Sequence, residues 1–263
     1  MTETFTFHPG SIPLLVSVPH DGRILPDDIA MMMTEAGRDI PDTDWHVSKL
    51  YEFARGLGAA TISAQLSRYV VDLNRPADDA TLYEGQVATG LCPRQTFDGQ
   101  DIYSDGTGID VAARVEQFWR PYHAKITDTL AEFRQSHGFA LLWDAHSIAS
   151  RVPRLFDGDL PILNLGTWGG RSCDAGIAGD VIEIAEDSPF EAVVNARFQG
   201  GYITRHYGRH ADNIQVIQLE LAQRAYMDEA MRNYDEAKAS ELRVTLERML
   251  TAFVSAAKQH FSR

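Results

Sequence analysis

Two histidines in this chain stand at the ends of apolar runs. His20 follows one in Ser17-Val18-Pro19-His20-Asp21-Gly22, and His146 closes another in Asp144-Ala145-His146-Ser147. Two further runs carry charge, in Asp72-Leu73-Asn74-Arg75-Pro76 and in Gln218-Leu219-Glu220-Leu221. Imidazoles and carboxylates brought together can hold a divalent metal. A catalytic zinc site usually takes three N or O ligands from the protein and keeps a fourth position open for water. His20 and His146 can supply two. The third must be another histidine or a carboxylate, and Pro41-Asp42-Thr43-Asp44-Trp45-His46 offers Asp42, Asp44 and His46. Asp44 is the choice, because it stands where a loop enters a helix. No local two-histidine motif of the HExxH kind occurs, so spacing alone does not establish a site.

These residues need a scaffold that makes them converge. The runs Ile12–Val18, Ala60–Leu66, Tyr69–Leu73, Phe139–Ala145, Ile162–Leu165 and Ile214–Leu221 are short, apolar or β-branched, and bounded by Gly, Pro or charge, as buried strands are. Helices fall between several of them. Asp44 can cap one through about Leu57, closed by Gly58, and Asp110 can cap another from Val111 to about Ser136, followed by Gly138. Met231, Tyr234, Leu242, Leu246, Met249, Phe253, Ala257 and Phe261 recur at helical spacing. Residues 74–109 and 147–160 read as long loops. The order predicts an α/β fold, a mostly parallel mixed sheet with helices on both faces, formed by residues 1–263 as one domain. Ligands of open α/β sheets bind outside the carboxyl ends of the strands, so both histidines, Arg75 and Glu220 converge on one pocket.

Composition narrows the partners. The chain has 263 residues, 44% of them hydrophobic, enough for a sizeable core. Its net charge is −13, from 24 basic and 37 acidic residues, which argues against a nucleic-acid partner but not against a small anionic substrate held by a few arginines. No apolar stretch is long enough to span a membrane, and the first ten residues lack the features of a signal peptide. Cys92 and Cys173 are far apart and form no metal-binding pair, which fits a reducing cytoplasm. No Gly-x-Ser-x-Gly elbow marks a serine hydrolase. His206 and His210 read as loop or pocket residues, since Gly208 separates them.

Six motifs, in order, resemble the N-formylglutamate amidohydrolase family: Pro19-His20-Asp21-Gly22, Asp42-Thr43-Asp44-Trp45, Val71-Asp72-Leu73-Asn74-Arg75-Pro76, Asp144-Ala145-His146-Ser147, the stretch from Gly200 to Gly208, and Gln218-Leu219-Glu220-Leu221. The resemblance runs from about residue 5 to 255. It implies a zinc-carboxypeptidase-like (phosphorylase/hydrolase-like) fold and a Zn2+ cofactor. It also implies hydrolysis of N-formyl-L-glutamate to L-glutamate and formate, as the last step of a histidine degradation route. Carried over, His20, Asp44 and His146 hold the zinc, and Glu220 accepts the proton of the attacking water and returns it to the leaving amine. Arg75 clamps a substrate carboxylate, helped by Asn74, and Arg68, Arg205 or Arg209 supplies a second cation. One departure stands out: the related carboxypeptidases take a glutamate ligand three residues after the first histidine, where this chain has Arg23. The competing readings are a related zinc deacylase or carboxypeptidase-like hydrolase of another N-acyl amino acid, and a non-catalytic metal-binding module.

Overall fold

Leu14–Val18 is buried at every position, as a strand covered on both faces must be. A computed structural model of the chain describes residues 3–82 and 89–262 and places this run at the heart of a seven-stranded sheet. The strands are β1 (Phe5–His8), β2 (Leu14–Val18), β3 (Ala60–Ala64), β4 (Ala140–Ile148), β5 (Leu163–Gly166), β6 (Ala192–Val194) and β7 (Ile214–Ala222), in the order β1-β3-β2-β4-β7-β5-β6. β2 runs parallel to β3 and β4, β4 to β7, and β5 to β6. The pairings of β1 with β3 and of β5 with β7 are antiparallel. The sheet is therefore mixed and mostly parallel.

The nine helices among the described residues are α1 (Asp27–Ala30), α2 (Glu35–Arg38), α3 (Val47–Leu50), α4 (Phe53–Gly56), α5 (Val111–Arg114), α6 (Arg120–His137), α7 (Ala175–Glu186), α8 (Tyr202–Tyr207) and α9 (Glu236–Phe261). Period-two alternation splits the core. Val16, Trp143 and Leu219 face one side, against Ile177 and Val181 of α7 and Leu246, Met249 and Phe253 of α9. Leu15, Leu142 and Val216 face the other, against Tyr122, Ile126 and Leu130 of α6 and Ile203 of α8.

Three expectations are corrected. Tyr69–Leu73 is buried but is not a strand. Its backbone is satisfied by side chains and turns rather than by a ladder: Tyr103 Oη donates to the Tyr69 carbonyl, Arg114 Nη1 to that of Val70, and His123 Nε2 to that of Leu73. The helix expected from Asp44 to Leu57 is two single turns, α3 and α4, and Asp44 does not cap it. Asp21 does so instead, accepting from the amides of His46 (3.0 Å) and Ser48 (2.9 Å). The C-terminal helix starts at Glu236, with Asp235 accepting from the amides of Ala237 and Lys238. Met231 and Tyr234 precede it; Tyr234 lies in a two-stranded hairpin of β8 (Met227–Asp228) and β9 (Asn233–Tyr234). The helix from Val111 is as expected, with a π-helical turn at Val115–Trp119 and Gly138 as its left-handed C-cap. No described helix is long and apolar enough to cross a membrane.

Candidate active site

β2, β4 and β7 run in one direction, so their carboxyl ends meet at one edge of the sheet. His20 follows β2, and His146 and Glu220 lie near the ends of β4 and β7, paired in register on the α6 side of the sheet. Asp44 is drawn in from its loop at two points. Its amide donates to the His20 carbonyl (3.0 Å), and its Oδ2 accepts from the Ser147 amide of β4 (3.0 Å). Its carboxylate thereby comes to lie between the two histidines.

The imidazoles point the same way. His20 Nδ1 is 3.7 Å from Asp44 Oδ2, and His146 Nδ1 is 3.1 Å from the same oxygen. The ring nitrogens on the far side face buried aspartates: His20 Nε2 donates to Asp72 Oδ1 at 2.7 Å, and His146 Nε2 lies 3.2 Å from Asp144 Oδ1. An imidazole anchored at Nε2 by a carboxylate, as His20 is by Asp72, presents Nδ1 for metal binding; His146 Nε2 has Asn74 Nδ2 at 3.0 Å with Asp144 beside it. One ligand atom from each of His20, Asp44 and His146 lies within 4.8 Å of the others, and all three residues are buried. Two nitrogens and one carboxylate oxygen make a donor set that suits zinc. Asp42 and His46, the other two possibilities, lie outside this cluster. Asp42 accepts from Tyr69 Oη and the Phe97 amide, and His46 Nε2 donates to the Arg232 carbonyl.

Burial alone would raise the Asp44 carboxyl, but His20 and His146 outweigh it and hold Asp44 well below the usual carboxylate range. Burial would lower the His146 imidazole, but Asp144 and Asp44 raise it well above the usual value. Glu220 behaves differently. It is 8% exposed, and burial pushes its carboxyl up to about 8 against the pull of His146.

A cleft opens onto this group. It is lined by His20, Asp44, His146 and Glu220, and by Asn74, Arg75 and Arg68. Asn74 Nδ2 is 3.0 Å from His146 Nε2, and its Oδ1 accepts from the Ile203 amide. Arg75 donates to the carbonyl and hydroxyl of Thr89. Arg68 is buried, with Nη2 2.7 Å from Asp72 Oδ2 and Nη1 3.7 Å from Asp44 Oδ1. Arg205 donates to the carbonyls of Gly200 and Leu82 and does not line the cleft. Arg209 lies before the amino end of β7, opposite Glu220, with Nη1 3.6 Å from Asp212 Oδ2. His206 is in α8, stacked on Tyr202, and neither it nor His210 lines the cleft.

Sequence reading missed several lining residues: Arg197, Phe97, Phe198, Leu155 and Gln218. Arg197 stands alone in Asn195-Ala196-Arg197-Phe198, with no neighbour to mark it. The one available signal was the Gly200-Gly201 pair just after it. Gly201 packs on Asn74 so closely that a Cβ there would sit 2.4 Å from Asn74 Nδ2, and its amide donates to Gln218 Oε1. This contact brings the backbone at Gly201 against the site.

The chain is similar to several known proteins. A family model described as N-formylglutamate amidohydrolase matches residues 12–227. N-formylglutamate deformylases of Pseudomonas putida and Pseudomonas aeruginosa are 45% and 43% identical to this chain, each aligned over 100% of both proteins. The crystal structure of an N-formylglutamate amidohydrolase from Ralstonia eutropha JMP134 superposes with a TM-score of 0.81 at 23% identity, covering 95% of this chain and 97% of that one. A gene product of Agrobacterium tumefaciens gives a TM-score of 0.72 at 16% identity, over 95% and 96%. The last two likenesses speak to the fold, and the full-length sequence matches to descent: the chain belongs to the N-formylglutamate amidohydrolase family.

Proposed function

We propose that this chain hydrolyses N-formyl-L-glutamate to L-glutamate and formate, with zinc held by His20, Asp44 and His146 and with Glu220 as the general base. The observation that carries the reading is the pairing of His146 with Glu220 across β4 and β7, beside a two-histidine, one-carboxylate cluster in an arginine-lined cleft. Relatives at 45% and 43% identity that bear the name N-formylglutamate deformylase support the substrate.

Zinc, when bound, supplies Lewis acidity toward the formyl oxygen and acidifies water near it. The protein's own groups do the rest. Glu220, a buried carboxylate paired in register with His146, takes the proton of the water that attacks the formyl carbon. It returns that proton to the amide nitrogen as the C–N bond breaks, releasing formate and the free amine. A carboxyl poised near neutral pH suits both halves of this transfer. Asp72 and Asp144 hold the imidazoles in one orientation. Arg75 receives a substrate carboxylate in bidentate fashion, and Asn74 orients it. The same reading puts the reaction at the end of a histidine degradation route, as the family resemblance implies, and in a reducing cytoplasm, which the two separate cysteines fit.

The test is metal analysis of the purified protein coupled to a formate-release assay with N-formyl-L-glutamate, before and after chelation. Zinc near one equivalent and activity that disappears with it support the proposal; turnover that survives complete metal removal overturns it. A panel of formyl-, acetyl- and succinyl-glutamate separates this enzyme from deacylases of other acyl groups.

A further inference from the structure

We propose that Arg197 is the receptor for the carboxylate at the far end of the substrate's side chain, and so sets the preference for acidic over neutral N-formyl amino acids. This rests on the function proposed above, in which the substrate is a formylated dicarboxylic amino acid. Such a molecule carries one carboxylate on the carbon bonded to the reacting nitrogen and a second at the end of its side chain. Each loses water on entering a cleft and needs a cation or several donors in exchange.

Three arginines line the cleft, and they are not equivalent. Arg68 is committed within the protein: its guanidinium lies 2.7 Å from Asp72 and 3.7 Å from Asp44, beneath the Phe97 ring. Its charge balances the aspartates that orient and complete the metal cluster. Arg75 donates to the Asn74 carbonyl and to Thr89 and adjoins Asn74, whose side-chain nitrogen is 3.0 Å from His146 Nε2; the function proposed above gives it the carboxylate nearest the reacting nitrogen. Arg197 enters from elsewhere. It follows β6, the edge strand two places beyond β7. Phe97, Leu155 and Phe198 line the cleft with it and belong to, or pack on, the apolar cluster around Ile148 and Val152. Apolar walls with a guanidinium among them match two methylenes ending in a carboxylate. A bidentate arginine fits that group in a way that a neutral amide does not reproduce.

The experiment compares kcat/KM for N-formyl-L-glutamate and N-formyl-L-glutamine, which differ only in the terminal carboxylate, in the zinc-loaded wild type, Arg197→Ala and Arg197→Lys. Losing one partner of a buried charge pair costs on the order of 10²-fold or more. Arg197→Ala is therefore expected to lower kcat/KM for formylglutamate by about 10²-fold, mainly through KM, and to change formylglutamine by less than about 3-fold. Arg197→Lys keeps the charge without the fork, and gives an intermediate loss on formylglutamate alone. Equal losses on both substrates, or an unchanged preference in Arg197→Ala, overturn the assignment. A wild type that turns over formylglutamine but not formylglutamate overturns the underlying function as well, and is recognised without any variant.

Discussion

His146 and Glu220 are direct partners across the parallel strands β4 and β7, with their side chains on the α6 side of the sheet. The residues proposed as metal ligand and general base, 74 positions apart in sequence, are thus held by a strand ladder, which fixes a site more precisely than a loop does. Asn164 pairs with Glu220 from the other flank, through β5, and its amide donates to the Glu220 carbonyl.

Glu220→Gln keeps the shape of the site and removes the proton acceptor. The turnover number is expected to fall by about 10²–10⁴-fold, the usual contribution of a general base. Zinc content and melting temperature stay at wild-type levels. Formate release measured beside metal stoichiometry checks this, and near-normal turnover would remove Glu220 from its role.

Arg75→Ala should raise KM for formylglutamate and lower kcat/KM by about 10²-fold. Arg75→Lys should recover little of it, since an ammonium cannot make the paired bonds of a guanidinium. Steady-state kinetics on the two variants decide the matter, and an unchanged kcat/KM in Arg75→Ala sinks the clamp.

Asp144→Asn leaves His146 Nε2 without its carboxylate at 3.2 Å. Losing such an anchor typically weakens metal binding by about 10–100-fold. Competition for zinc against a chelating dye reads this directly, independently of turnover. Wild-type affinity in the variant would mean that Asp144 does not orient the ligand.

Metal binding should also stabilise the fold. A ligand that binds only the folded chain contributes about 4 kcal/mol at a thousand times its dissociation constant. Chelation is accordingly expected to lower the melting temperature, and added zinc to restore it. Calorimetry of the metal-free and zinc-loaded protein is the measurement, and identical melting curves would count against a metal in this cluster.

His123 provides a pH signature of stability. Burial pushes its imidazole down to about 3, while Nε2 lies 2.9 Å from the Leu73 carbonyl and Nδ1 3.0 Å from Tyr207 Oη. The unfolded chain takes up a proton here below about pH 6.5, and the folded chain refuses it until about 3. The unfolded state therefore binds more protons in this window, and stability falls as pH falls, by up to about 1.4 kcal/mol per pH unit from this residue. His123→Gln removes that slope. Urea unfolding of metal-free wild type and variant at pH 7, 6 and 5 should show their stability difference narrowing towards acid; a constant difference would refute it.

Much of this protein is readable from local pattern. β2, β4 and β7 announce themselves as short apolar runs, because a strand covered on both faces must be apolar throughout. The capping Asp110 and terminating Gly138 of the long helix are local chemistry and were found as such. Convergence of His20, His146 and Glu220 follows from one rule about the carboxyl ends of strands, so their neighbourhood was legible too. The run Tyr69–Leu73 looked like a strand because burial and apolarity are common to strands and to buried turns; only the side chains of Tyr103, Arg114 and His123, arriving from elsewhere, show that no ladder is needed. Asp44 was selected for a capping position that Asp21 in fact occupies, and it reaches the cluster through the His20 carbonyl and the Ser147 amide. Which arginine meets the cleft was likewise settled in three dimensions. Of Arg68, Arg205 and Arg209 only Arg68 lines the cleft, where it is paired with aspartates; Arg205 is bonded to the carbonyls of Gly200 and Leu82 outside it, and Arg209 is at the opposite end of β7. Arg197 lines the cleft from the segment that follows β6. Sequence determined the residue types and the strands that carry them, since these depend on near neighbours; partner choice among distant charges belongs to tertiary structure, because it depends on which surfaces the fold brings within a few ångströms.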